Sequence, residues 1–313
     1  SSDLNQSLSA SIGIDQTKVR TGPSVSTYIR DYLLANGGKA TGSATYCPED
    51  QWAKDADGKY TGECNPGGEI TYDNAFDGEF LTYTLNLGWS YNTLNRPIFP
   101  TSGMSHRVGL EVGIPGSDVD YQKLTYDAQA FMPLWGGFVL RGYGKLGYGN
   151  DLPFYKNFYA GGYGSVRGYD NSSLGPKYPS VIFQEMGKDD LSKEEVGGNA
   201  LVQFGTELAL PLPFKGDWAR QVRPVLFAEG AQVFDTKCDV PSGNILVNSS
   251  NVDIKQYCKD NYNFNFDNMR YSVGVGFTWI TMIGPLSLSY AFPLNDKKGD
   301  DTKSIQFEIG RTF

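Results

Sequence analysis

No stretch of the sequence approaches the ~18–20 consecutive apolar residues that a membrane-spanning helix needs, so any crossing of a bilayer would have to be made by strands. Histidine is nearly missing: His106 stands alone among 313 residues. Serine–histidine–acid catalysis therefore has one position to use, and the usual nitrogen ligand of a zinc site is almost absent. Basic clusters are lacking as well, with 27 Lys+Arg against 35 Asp+Glu and a net charge of −8. Neutralising a phosphate backbone needs basic stripes, so nucleic acid is excluded as a partner and the acidity reads as solvated loops. Methionine, at 5 residues, is scarce, whereas Gly 38, Tyr 20 and Phe 18 are plentiful. That balance suits a sheet protein with aromatic girdles. A mean hydropathy of −0.37 does not count against it, because a spanning strand needs only ~9–11 residues with every second one apolar.

Cysteine is confined to Cys47, Cys64, Cys238 and Cys258. They fall as two local pairs in polar, Gly/Pro/Asn-rich stretches, so Cys47–Cys64 and Cys238–Cys258 are the natural disulfides among the three connectivities that four cysteines allow. Either closure would contribute roughly 3 kcal/mol in the chain-entropy model, and both imply an oxidising compartment. The spacings do not suit a metal, and none is expected. The chain opens at Ser1 without a leader, which reads as a mature protein or a piece of one.

Strict alternation is the dominant pattern. In 80–91, Leu81, Tyr83, Leu85, Leu87, Trp89 and Tyr91 share one face, opposed by Thr82, Thr84, Asn86, Gly88 and Ser90. In 269–279, Met269, Tyr271, Val273, Val275, Phe277 and Trp279 oppose Arg270, Ser272, Gly274, Gly276 and Thr278. Similar stretches near 6–16, 104–114, 120–132, 138–149, 199–211, 222–235, 286–293 and 304–313 bring the total to about ten strands, an all-β antiparallel arrangement. Aromatics gather at strand ends, at Trp89, Tyr91, Tyr148, Trp279 and Phe313, as at the two interfaces of a transmembrane β-barrel.

Connections alternate in length. Short links at 94–103, 134–137, 211–221 and 282–285 read as periplasmic turns, and those at 20–76, 115–119, 150–198, 236–267 and 294–303 as outer loops. Within 20–76 a helix is predicted, starting at Pro23-Ser24, with Tyr28, Ile29, Tyr32 and Leu33 on one face and Gly37-Gly38 as its stop.

Several motifs resolve into nothing chemical. Gly142, Gly144 and Gly147 spell GxGxxG, but a dinucleotide site needs strand, turn and helix in order, and these glycines lie inside one strand, so no cofactor is expected. His106 falls on an apolar face with Val108, Leu110, Val112 and Ile114, where an interfacial role outranks a catalytic one. The Asn171 and Asn248 sequons match by letter only.

Arg167 is different. It sits on a glycine-hinged loop with Gly161, Gly162, Val166, Gly168 and Tyr169, and the strands that follow carry acids on their inward faces. In 199–211, Val202, Phe204, Thr206, Leu208 and Leu210 face lipid, which turns Gln203 and Glu207 inward. Glu229 interrupts an otherwise apolar strand centre, and a charge facing lipid there would cost kilocalories, so it too should face the lumen. Two such acids make a receptor for a guanidinium fork.

The run Phe158-Tyr159-Ala160-Gly161-Gly162 through Val166-Arg167-Gly168-Tyr169, followed by Leu174-Gly175-Pro176, resembles the sixth extracellular loop of the BamA family, whose superfamily includes TamA and the two-partner secretion pores. That family usually has Phe where this chain has Tyr169. Ile305, Phe307, Ile309 and Phe313, alternating with Gln306, Glu308 and Gly310, are similar to the carboxy-terminal signal of outer-membrane proteins. The resemblance implies that Arg167 is a latch, that Glu207 and Glu229 are its partners, and that strand 304–313, weakened at Gly310, borders a seam. It further implies the carboxy-terminal portion of a sixteen-stranded barrel, without the periplasmic POTRA domains. The implied activity is non-enzymatic insertion of unfolded outer-membrane clients into the Gram-negative outer membrane. Partners would be the lipid bilayer with its lipopolysaccharide and, through POTRA domains, assembly lipoproteins. The rival readings are a secretion pore and a surface adhesin.

Overall fold

A computed structural model of the chain describes residues 5–22, 25–48, 51–54, 60–178, 194–213, 221–238, 244–247, 250–282, 284–297 and 299–310. Ten strands follow one another across a single antiparallel sheet: β1 (Gln6–Arg20), β2 (Ile70–Asn92), β3 (Gly103–Gly113), β4 (Gln122–Pro133), β5 (Val139–Asn150), β6 (Ala200–Ala209), β7 (Val222–Phe234), β8 (Arg270–Thr281), β9 (Gly284–Pro293) and β10 (Ile305–Ile309). Each pairs with its neighbours in sequence, the up-and-down order of a barrel wall. Strand Lys39–Tyr46 adds a branch on the edge of β2 beyond the end of β1. Among the described residues no ladder joins β1 to β10.

Alternation sorts the faces. Leu146, Phe204, Leu226 and Val275 are exposed on the outside, while Gln203, Glu207, Phe227 and Glu229 are buried on the inside. An inward row of small residues, Ser272, Gly274 and Thr278 on β8 with Ser287, Ser289 and Ala291 on β9, leaves room for what fills the interior. Met269 departs from its sequence pattern. It is 1% exposed rather than lipid-facing, because its N–H closes a 3-10 turn on the carbonyl of Phe266 before β8 begins.

The region 20–76, expected to be a loop, is partly strand. β1 runs on to Arg20 opposite Asp77, and β2 starts at Ile70. The backbone ladder continues unbroken through this extension, and exposed charge pairs face each other across it, Lys18 with Glu79 at 3.3 Å and Arg20 with Asp77 at 3.6 Å. Apolar periodicity does not register strands whose facing side chains are charged.

Helix α1 spans Thr27–Ala35, and its N-cap is Ser26, whose hydroxyl accepts from the Ile29 N–H. The predicted start at Pro23-Ser24 lies outside the described residues. Gly38 N–H closes the end on the Leu33 carbonyl at 2.8 Å. A second helix, α2 (Ile254–Tyr262), occupies the stretch read as loop at 236–267. Ile254, Tyr257 and Cys258 recur at helical spacing on its buried face, but a stripe this short does not stand out within a stretch of mostly polar residues. It is capped by Asp253, anchored by buried Ile254 and Tyr257, and tied to the end of β7 by Cys238–Cys258. Cys47–Cys64 closes the other pair.

Both helices and the outer-end loops share one apolar cluster, in which Leu33, Phe80, Phe154, Val166, Tyr169, Tyr178 and Ile254 are fully or almost fully buried. The long-loop end of the sheet is thereby roofed.

Candidate functional site

The connection between β5 and β6 enters the concave side of the sheet. Single bridges, Phe158 with Gly198 and Ala160 with Leu174, bring its two limbs together. Two glycines are needed there for steric reasons. Gly162 has φ 87°, and a Cβ on it would meet Asn171 Oδ1 at 1.9 Å. Gly168 has φ 96° and lies against Ala291 on β9, where the added carbon would meet that side chain at 3.3 Å. Positive φ without a Cβ penalty lets the backbone press on the wall. Around the tip, Gly161 N–H donates to the Ser165 hydroxyl, and Gln203 on β6 bonds both that hydroxyl and the Gly164 carbonyl.

Arg167 is 2% exposed. Its Nε donates to Glu229 Oε1 at 3.0 Å, its Nη2 donates to the same oxygen, and its own backbone N–H donates to Glu229 Oε2 at 2.8 Å. Nη2 also reaches Glu207 Oε1 at 2.7 Å. The guanidinium carbon lies 3.5 Å from the ring centre of Phe227, which backs it from β7. Burial alone would lower the pKa of Arg167. The Glu229 and Glu207 carboxylates outweigh that and hold the guanidinium above its ordinary range.

Sequence reasoning missed two members of this cluster. Arg141 on β5 sits directly across the ladder from Glu207 and donates Nη1 to Glu207 Oε2 at 2.8 Å. Two guanidinium groups therefore face two carboxylates, and the buried network is charge-balanced. Tyr143, also on β5, donates its phenol to Glu229. It does so across β6 at Gly205, which pairs with both Tyr143 and Glu229. A Cβ on Gly205 would lie 2.4 Å from the Tyr143 ring, so the glycine is a window through which β5 reaches β7. Alternation in 138–149 places Arg141 and Tyr143 inward, but their partners follow only from strand register.

The loop is fastened at both ends. Lys156 lies 3.1 Å from Asp15 on β1 and 3.1 Å from Glu111 on β3. Burial lowers its pKa, and those two carboxylates more than reverse the shift. At the other end Gly168-Tyr169 pairs with Thr302-Lys303, Asp170 N–H donates to the Asp301 carbonyl at 2.8 Å, and Gln306 on β10 donates to the Tyr169 carbonyl. One loop thus touches β1, β3, β6, β7 and β10, which requires the sheet to curl around it. A cavity of about 500 Å³ remains beside it, lined among others by Arg107, Asp127, Gln129, Lys145 and Tyr163.

Of the remaining sequence candidates, Ile305, Phe307 and Ile309 point outward and are more than half exposed, and Gly310 ends the strand at φ 89°. Phe313 lies outside the described residues, as does Asn248. Gly142, Gly144 and Gly147 lie within β5. His106 bonds the Tyr126 hydroxyl at 2.8 Å on the outer face. Among the described residues no group of three His, Cys, Asp or Glu is arranged to hold a metal.

The chain matches the model of the Omp85 superfamily domain over residues 2–313. It is 35% identical over 246 residues to the outer membrane protein assembly factor BamA of Neisseria meningitidis serogroup B, covering 76% of this chain and 30% of that protein. Against the sorting and assembly machinery component 50 homolog A of Xenopus laevis it is 28% identical over 251 residues, covering 75% and 47%. The solved structure of BamA from Haemophilus ducreyi lacking POTRA domains 1-3 is similar with a TM-score of 0.70 at 27% identity, covering 100% of this chain and 52% of that one. The chain therefore spans about half the length, or less, of these relatives.

Proposed function

The chain belongs to the Omp85 superfamily, and from that premise we propose that its parent protein folds and inserts β-barrel clients into the Gram-negative outer membrane. It is an integral outer-membrane protein and not an enzyme. The ten strands are the carboxy-terminal part of a larger family barrel, a reading supported by the share of the Haemophilus ducreyi structure that they cover.

The observation that carries the proposal is the filled interior. Arg167, clasped by Glu207 and Glu229, occupies the lumen. A secretion pore needs the reverse, a cleared lumen. Unpaired N–H and C=O groups on an edge template an incoming strand, so clients would add by β-augmentation at β10. No nucleotide is needed for this, since client folding supplies the free energy.

The bilayer assists. Beside the seam the apolar belt would be short. Lipid beside a short belt thins to match it. Lipopolysaccharide would contact the outer aromatic belt, and assembly lipoproteins would act through POTRA domains.

The full parent protein in liposomes should speed the folding of an unrelated barrel client. Polypeptide conductance without accelerated client folding would establish the secretion pore instead.

A further inference from the structure

The link between β2 and β3, residues 93–102, is a built turn rather than a slack one. Asn95 accepts through its side chain from the Thr101 and Ser102 N–H groups and donates to the Thr101 hydroxyl. The Thr93 hydroxyl bonds the backbone of Met104 from both sides. Phe99 is held at φ 49°, a left-handed conformation that is costly for a bulky residue and persists only where surroundings over-determine it.

Those surroundings belong to the far wall. Arg223, on the inward face at the start of β7, donates Nη2 to the Pro100 carbonyl at 2.9 Å. Its guanidinium lies 5.5 Å from the Phe99 ring and 5.8 Å from the Phe131 ring of β4. Pro100 is buried, and Leu94 packs on a lumenal cluster of Phe131, Val139, Ala209, Val225, Phe227 and Ala291. A turn from the β2–β3 corner therefore reaches across to β7, under the end of the lumen opposite the latch.

We propose that residues 93–102 form a plug that seals the periplasmic mouth of the lumen, with Arg223 as the clamp that seats it. The side on which it lies rests on the functional reading above; its seating does not. Two closures then act in series, the Arg167 loop from the outer end and this turn from the inner one. They meet at Glu207, which bonds Arg167 and Arg141 and shares a small cavity with Arg223.

The test uses the full parent protein in outer membranes, with single cysteines introduced into a chain whose native cysteines are paired. Leu94→Cys should react slowly with a membrane-impermeant maleimide, and Ile98→Cys, which is 46% exposed, should react fast. Arg223→Gln should raise the Leu94→Cys rate by at least about tenfold, as expected for loss of a charge-assisted hydrogen bond. Asn95→Ala, which removes the bonds that shape the turn and leaves the wall untouched, should raise it likewise and guards against a folding defect at Arg223. In planar bilayers either variant combined with Arg167→Ala should conduct more than Arg167→Ala alone. Equal rates for Leu94→Cys and Ile98→Cys in the otherwise unaltered protein would overturn the plug. Labelling of Ile98→Cys on intact cells would overturn the orientation, and with it the functional reading, without touching the seating.

Discussion

At the scale of single residues the interior is decided by where four charges meet. Glu229 receives three hydrogen bonds from Arg167, whereas Glu207 receives one and gives its other oxygen to Arg141. The two acids are therefore unequal. Glu229→Gln leaves Arg167 with a single anionic partner and should expose the loop to added protease more than Glu207→Gln does. Removing one member of a buried ion pair costs up to ~3–5 kcal/mol, and Arg141 limits the loss at Glu207 when Arg167 is changed. Equal protease sensitivity of the two variants would contradict this division. Arg167, Glu207 and Glu229 are legible from alternation and a glycine-rich loop, because period two assigns each side chain a face. Gly205 is not. Its role is to be absent where Tyr143 crosses, and that depends on which residues stand opposite one another.

At the scale of elements, the latch loop and the last strand are joined. Thr302-Lys303 leaves the β9 ladder to pair with Gly168-Tyr169, and buried Gln306 adds a side-chain bond to the Tyr169 carbonyl. The edge proposed to receive clients is thus tied to the loop that fills the lumen. Gln306→Leu should fray β10, with amide exchange at Ile305–Ile309 rising roughly fivefold for the loss of one hydrogen bond of ~1 kcal/mol. Unchanged exchange at Ile305–Ile309 would show that the strand holds by its ladder alone. The two helices differ in how readily they can be read. α1 carries Ile29 and Leu33 on one face with a cap at Ser26, so its period is visible. α2 carries Ile254, Tyr257 and Cys258 at helical spacing too, but within a stretch of mostly polar residues where they do not stand out, and a disulfide with two buried side chains stabilises it.

At the scale of the whole molecule, wall and roof are separate constructions. The wall rests on ladders from β1 to β10, and the roof on the apolar cluster that α1, α2 and the loops share. Both disulfides lie at the outer end, off the ten-strand path. Reduction should consequently loosen the roof, with faster proteolysis of the 20–76 and 236–267 connections, and leave the heat-modifiable migration of the barrel unchanged. Loss of that migration on reduction would mean that wall and roof unfold together.

Alternation by itself determined the all-β class, the number of wall strands, the inward and outward faces and the ends at which long and short connections lie, since each depends only on a residue's place in a period of two and on local turn chemistry. Tertiary structure alone decided that Arg141 shares Glu207, that Tyr143 passes over Gly205, that the β1–β2 ladder continues across charged residues, and that a turn from β2–β3 seats against Arg223. Those contacts join residues from 57 to 123 positions apart, and their partners are set by register and by the curl of the sheet, which no local pattern encodes.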